Sequence, residues 1–361
     1  MTRYRIFLLL LVLIVAIEGI AYAVQQKNAT PSIVVPDSLL NHKFAPNATY
    51  VDTVRGEANH IFTNSQSWAE HYDVQKEKPM GIYRIFYVGD STTHGVVDEK
   101  YRLPDIIERE LGSRVEVINA GTTSYSTLLY YLLIKNEILQ YSPDLVVINI
   151  DMTDVRDDGV YRELAELDEL GLPIAVRPSD EKDQGKYILS PQGKIKIPLP
   201  QRINAFAAKH SFIVRSLYRL IKPSSLAVPP PGSWLQHTWD SATENDVAFS
   251  MGILSETIRL LQSQGIKVMI TGVPHYPQYT GQWSARPHEV LAQTAQELGI
   301  PYLNSYEALK DKITDTSVEH YYWAVDPTHL NTAGNALWAN VQLKFLLDPK
   351  NDLLPLKTEG K

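Results

Sequence analysis

Short apolar runs alternate along this chain with longer stretches in which apolar residues recur every three or four positions. Ile85, Phe86, Tyr87 and Val88 form the first clear run and predict a buried strand. It stops abruptly at Gly89-Asp90-Ser91, where Gly89 permits a sharp exit and Asp90 to Thr93 are residue types that bond backbone groups at turns and helix starts. Leu103, Ile106, Ile107 and Leu111 then fall on one helical face. Val115, Val117 and Ile118 predict a second strand ending at Asn119-Ala120-Gly121, and Thr127 to Leu139 a strongly apolar helix. Leu145 to Ile150 is unbroken apolar sequence, the pattern of a strand covered on both faces. Met251, Leu254, Ile258 and Leu261 mark a further helix, Val268-Met269-Ile270 a fourth strand, and Val290, Leu291, Ala295 and Leu298 another helix. Ile300 to Leu303 reads as a fifth strand, and a last helix runs from about Thr332 to Leu347. Repeated strand–helix units predict an α/β fold built on a parallel sheet with helices on both faces.

Two regions break this rhythm. Residues 25–80 read as a stalk and N-terminal extension, punctuated by Pro31, Pro36 and Pro46, with Ile61 to Tyr72 packing on the main domain through Trp68 and Tyr72. Asn28-Ala29-Thr30 and Asn47-Ala48-Thr49 match glycosylation sequons, a triplet that arises often by chance. Residues of about 159–240 read as an insertion after the third strand, covering one edge of the sheet's active end. It holds a hairpin across Ser190 to Lys194, an amphipathic piece near Phe206 to Ile221, and Pro229-Pro230-Pro231. The main domain is thus expected over 81–350, followed by a tail at 351–361.

The first 24 residues are of another kind. Arg3 and Arg5 precede an apolar run from Ile6 to Ile17, interrupted by Glu18 and resumed to Val24. Either it is a signal peptide with Ala21-Tyr22-Ala23 as cleavage site, or an uncleaved anchor through residues 6–24. The anchor is favoured, because Tyr22 and the apolar residues around it make a poor cleavage region. Both readings put the rest of the chain outside the cytoplasm, at the membrane or secreted, since the arginines stay inside.

Composition narrows the chemistry. With 361 residues the chain can build one large α/β domain or two modest ones. A net charge of −7 and the lack of a basic stripe argue against nucleic acid as partner. There is no cysteine, which excludes disulfides, thiolate nucleophiles and cysteine zinc sites. The ten histidines show no compact metal-ligand spacing, so neither metal nor cofactor is expected.

Ser91 lies at a strand's carboxyl end ahead of a helix, where open α/β sheets bind ligands. Far along the chain, Asp326 and His329 are three apart, close enough to meet in one turn. An aspartate beside a histidine can fix its tautomer and stabilise the imidazolium, so that the ring could take a serine proton. Alone, Asp-x-x-His is a weak signal that reads more readily as a loop capping the final helix.

Taken together, these blocks resemble the SGNH or GDSL hydrolases. Gly89-Asp90-Ser91-Thr92-Thr93-His94-Gly95 is similar to that family's first block, Asn119-Ala120-Gly121 to its second, Leu145 to Asp154 to its third, and Asp326-Pro327-Thr328-His329-Leu330-Asn331 with Gly334 to its last. The resemblance covers roughly 81–155 and 245–347. It implies a single flavodoxin-like three-layer sandwich with about five parallel strands, and an esterase or acyltransferase working through an acyl-serine. It further implies Ser91 as nucleophile, His329 as general base and acid, Asp326 as its orienting partner, and the Ser91 and Gly121 N–H groups as oxyanion donors. The third block departs from the family: Thr153 stands at the usual asparagine and Asp151 at the usual glycine. Either Thr153 substitutes as donor, or the substrate or a water completes the hole, or the protein hydrolyses slowly and mainly transfers or binds. Asp151 and Asp154 bring negative charge that disfavours an anionic substrate, although turn chemistry at a strand end also explains them.

Three more residues are candidate substrate contacts: His94 in the first block, and His275 and Tyr276 after the fourth strand, on the same edge as Ser91. Tyr276, Tyr279 and Trp283 could stack on sugar rings or pack a lid. The expected substrate is an O-acylated carbohydrate or other small ester. Hydrolysis, transfer to a sugar hydroxyl, and binding by a disabled site are the alternatives.

Overall fold

The computed structural model describes residues 33–52, 59–178, 229, 232–314, 316–323 and 326–355. The 1–24 segment, the hairpin near 190–194 and the amphipathic piece near 206–221 lie outside the described residues. Among the described residues no helix is long and apolar enough to cross a membrane.

Five parallel strands form the central sheet: β1 (Tyr83–Val88), β2 (Val115–Asn119), β3 (Leu145–Asp151), β4 (Lys267–Val273) and β5 (Tyr302–Leu303). Their spatial order is β5-β4-β3-β1-β2. Every residue of β3 is buried, as expected for the middle of a sheet covered on both faces. The helices are α1 (Ser91–His94), α2 (Leu103–Leu111), α3 (Thr127–Asn136), α4 (Asp154–Arg162), α5 (Ser241–Ser263), α6 (Tyr276–Tyr279), α7 (Arg286–Leu298), α8 (Ser305–Ile313), α9 (Val318–Tyr321) and α10 (Thr332–Leu347).

Strand alternation sorts the core. Ile85 and Tyr87 face a cluster with Leu103 and Ile107 of α2, Leu309 of α8 and Trp338 of α10. Phe86 points the other way and meets the Trp68 ring edge-on at 5.2 Å, and Trp68 in turn meets Tyr141 at 4.9 Å. On that side α3 packs against α5. Helix α3 buries nearly its whole circumference, so its apolar run is a core helix. Its N-terminus is closed by Asp158 of α4, which accepts from Leu128 N–H at 2.9 Å and from the Thr127 hydroxyl.

The described part of the predicted stalk is folded. Val34–Asp37 pairs with Asn41–Phe44, and Thr49–Asp52 with Asn59–Phe62, as two antiparallel hairpins. The first is tied to the loop after β2, where the Tyr125 hydroxyl donates to His42 O at 2.6 Å and His42 Nε2 meets Thr123 O at 2.8 Å. The start of the predicted insertion holds α4 and a further hairpin, Ala165–Leu167 with Pro173–Val176. Val176 N–H donates to Leu39 O at 2.9 Å, joining this hairpin to the N-terminal one.

Candidate active site

The reversal of strand order falls between β1 and β3, the position at whose carboxyl edge open α/β sheets bind ligands. In register, Val88 of β1 lies opposite Ile148 of β3. The turns that leave these two strands, Gly89 to Thr93 and Asp151 to Asp154, therefore emerge side by side.

Gly89 is needed at its position for closeness. An added Cβ would overlap the Thr93 hydroxyl oxygen and stand 3.0 Å from Asn149 O. Thr93 Oγ1 accepts from Asn149 Nδ2 at 2.9 Å, which couples the first turn to β3. Asp90 caps α1: its Oδ1 accepts the Thr92 N–H at 2.8 Å and the Thr92 hydroxyl at 2.6 Å. Ser91 is the first residue of α1, where no carbonyl of the helix can accept its N–H.

Ser91 Oγ lies 2.8 Å from His329 Nε2 and 3.2 Å from Asp90 Oδ2. On the other side of the ring, His329 Nδ1 lies 2.9 Å from Asp326 Oδ2. A carboxylate only accepts, so Nδ1 carries the ring's proton in the neutral form and Nε2 faces Ser91 with a lone pair. The Thr328 hydroxyl donates to Asp326 Oδ1 at 2.8 Å and steadies that carboxylate.

The contact between Asp326 and His329 does not come from a helical turn. Asp326–Leu330 is a strand paired antiparallel with Tyr322–Trp323, and a register shift separates the pair Trp323 with Asp326 from the pair Tyr322 with Leu330. A regular strand would send residues three apart to opposite faces. The irregularity turns both side chains to one side.

Gly121, after β2, packs against the backbone of α1: an added Cβ would collide with His94 N and lie 2.9 Å from Thr93 C. Its N–H donates to Asn119 Oδ1 at 3.1 Å. Thr153 N–H and Oγ–H both donate to Asp151 Oδ1, at 2.8 and 2.9 Å. His275 Nε2 lies 3.0 Å from Asp151 Oδ2, within a pair that is almost wholly buried. Burial works against the charged forms of both partners, but their attraction outweighs it. Asp151 is held below the usual carboxylate range and His275 above the usual imidazole range.

Burial corrects the expectation for two substrate contacts. His94 is 3% exposed and tilts against Phe44 with ring centroids 5.0 Å apart, and His275 is 1% exposed. Neither ring offers a surface to a ligand. Tyr276 is half-buried against Tyr322, at 5.7 Å between ring centroids. Trp283 is buried and Tyr279 stacks on Tyr306 at 4.8 Å, so these aromatics are packing.

Sequence reading named Asp151 and Asp154 as charge near the site but missed that they meet Asp90 in one buried cluster. Asp90, Asp151 and Asp154 bring ligand-type oxygens within 4.8 Å of one another, as do the ligand-type atoms of Glu70, His71 and Glu99 elsewhere. In the first group most oxygens are already engaged. Asp154 Oδ2 accepts from the Tyr130 hydroxyl at 3.0 Å and from Asp151 N–H at 3.1 Å, whereas its Oδ1 is buried without a partner. Burial, then the negative Asp90 and Asp151, push Asp154 well above the carboxylate range. A retained proton relieves the crowding of these carboxylates. Burial also raises Asp90, with Asp151 adding to it, to about 6.

These shifts predict a stability profile. Asp90, Asp154 and His275 bind protons more tightly folded than unfolded, so falling pH favours the folded state. Asp151 acts oppositely only as pH drops below about 4, where its unfolded carboxyl protonates. His42 and His288, which burial holds below the imidazole range, the latter at about 3, act oppositely below about pH 6.5. Asp105, Glu137 and Asp157, raised by burial to about 7, about 7 and about 8, outweigh them. The melting temperature should rise from pH 8 to pH 5. Asp90 alone contributes about 1 kcal/mol over that window, on the order of 3 °C. Scanning calorimetry across the range tests this, and a Tm that falls towards pH 5 would refute it.

A family model described as the GDSL-like lipase/acylhydrolase family matches residues 87–337. That is more than half of the chain, and the chain belongs to this family of carboxylic ester hydrolases. Among solved structures, an acetylxylan esterase from Geobacillus stearothermophilus is similar at 12% identity and TM-score 0.40, covering 73% of this chain and 95% of its own. A lipase/acylhydrolase from Enterococcus faecalis is similar at 16% identity and TM-score 0.40, with the same 73% and 95% coverage. A lipolytic protein of the G-D-S-L family from Desulfitobacterium hafniense is 12% identical with TM-score 0.41, covering 72% of this chain and 98% of its own. A comparison with curated proteins found no match.

Proposed function

We propose that the protein cleaves O-acyl esters through an acyl-serine on Ser91. The observation that carries this reading is the chain of contacts from Ser91 Oγ through the His329 ring to Asp326, at 2.8 and 2.9 Å. His329 Nε2 accepts the hydroxyl proton as Ser91 Oγ attacks the ester carbonyl. Asp326 holds the ring in the required tautomer and stabilises the imidazolium. The ring then returns the proton to the leaving alcohol, and a water repeats the sequence to release the acid. The Ser91 N–H at the start of α1 faces the developing oxyanion, and Gly121 N–H joins it by sharing its proton with Asn119 Oδ1.

The substrate we favour is an O-acylated glycan of the cell envelope. The support is the apolar run of residues 6–24 behind Arg3 and Arg5, which favours a membrane-anchored protein with its catalytic domain outside the cytoplasm. A second reading is O-acyl transfer to a sugar hydroxyl. It shares the acyl-serine and its oxyanion with hydrolysis and differs only in the second step, where a sugar hydroxyl replaces water.

The test is incubation with short-chain aryl esters and acetylated oligosaccharides, with and without an unacylated glycan. Released acid supports the esterase, acylated acceptor supports the transferase, and neither product from folded protein contradicts both.

A further inference from the structure

The proton directions at Thr153 are fixed by Asp151. Its hydroxyl has one proton, and both that proton and the backbone N–H point at Asp151 Oδ1. The other Asp151 oxygen takes the Nε2–H of His275. His275 is anchored in turn: its backbone N–H donates to Gln278 Oε1 at 2.9 Å, and its ring tilts against Trp283 at 5.7 Å. Turning the Thr153 hydroxyl towards a ligand would strip a buried carboxylate of a charge-assisted bond, a costly loss in that environment. The oxygen of this half-buried residue therefore meets a ligand with its lone pairs. Thr153 leaves the end of β3 next to the β1 end that carries Ser91.

We propose that Asp151 and His275 are positioning residues that hold the Thr153 hydroxyl as a hydrogen-bond acceptor beside Ser91, selecting an ester whose sugar carries a free hydroxyl near the acyl group. The proposal deepens the esterase reading and rests on it for the role of Ser91. It removes Thr153 from the oxyanion donors and gives it a part in specificity.

Two variants test it in the detergent-solubilised full chain. Thr153→Val removes the hydroxyl and keeps the shape. It should raise KM for a monoacetylated sugar with a neighbouring free hydroxyl by about fivefold or more, while lowering kcat less than about threefold. Thr153→Asn adds amide donors and should raise kcat on an aryl acetate about tenfold or more. A fall of about a hundredfold in kcat on the aryl acetate in Thr153→Val would overturn the proposal, since that is the loss of an oxyanion donor.

Nitrogen NMR of histidine-labelled protein reads the arrangement without turnover. His275 Nε2 should remain protonated from about pH 5 to 9, and a proton on Nδ1 alone would overturn the proposal. Wild-type protein inert towards every ester would count against the esterase reading instead. The Kd of the same sugar then decides: weakening by about fivefold in Thr153→Val supports the proposal, and an unchanged Kd overturns it.

Discussion

Ser91→Ala should lower kcat on an aryl acetate by about ten-thousandfold or more, with little change in thermal stability. Both halves of the expectation follow from where the hydroxyl sits. Its oxygen is 2.8 Å from His329 Nε2, and no other described hydroxyl is within hydrogen-bond reach of that nitrogen. Without it the imidazole has only water to deprotonate, and the acyl-serine route is closed. What remains is the rate given by binding and oxyanion donors. The cost to the fold is small because Ser91 is half-buried and its removal opens no cavity in the core. The lost hydroxyl hydrogen bond, to His329 Nε2 at 2.8 Å, costs about 1 kcal/mol. Steady-state kinetics and a melting curve on the same preparation check the pair of expectations. Retention of a tenth of the activity would show that the ester is attacked by some other group.

The second large effect is expected from Gly121→Ala. The new methyl group would press on His94 N and Thr93 C, which are backbone atoms with no rotamer to yield. Only movement of α1 or of the β2 exit can relieve the contact. Helix α1 is four residues long and begins with Ser91 itself, so the relief displaces the nucleophile. We expect a loss of about 1–3 kcal/mol in stability and of about a hundredfold in kcat/KM. Gly159→Ala is the control. Gly159 lies in α4 with nothing near the added methyl, and the substitution should stabilise by about 0.5–1 kcal/mol. Denaturant unfolding and kinetics of both variants separate the two cases, and equal behaviour would remove Gly121 from its place against the first turn.

The strands of the sheet were legible because each is a run that must be buried on both faces, and such runs are short and apolar. Their order was less so, since periodicity says nothing of which strand lies beside which. Ser91, Asp326 and His329 could be named because two distant blocks, each weak alone, together resemble the first and last blocks of the GDSL hydrolases. Their contact through an irregular strand could not be read: spacing alone suggested a helical turn, and the register shift against Tyr322–Trp323 is a tertiary feature. His275 shows the same limit. Its position after β4 correctly put it on the edge that carries Ser91, but it turned inward to Asp151, which ends the neighbouring strand. Once Val273 is known to pair with Asp151 across β4 and β3, that contact is nearly forced. The pairings of Val34–Asp37 with Asn41–Phe44 and of Thr49–Asp52 with Asn59–Phe62 were hidden because prolines and asparagines in the segment read as breaks. Asn41 and Asn47 in fact take positive φ, at 62° and 53°, in the tight connections there.

The most direct measurement of the central claim is covalent. The full chain is treated with a fluorophosphonate, digested, and the modified peptide identified by mass. A single adduct on Ser91, formed at a rate that collapses in His329→Ala, is the predicted result. Folded protein that stays unmodified, or an adduct on any other residue, would contradict the assignment of Ser91 as nucleophile.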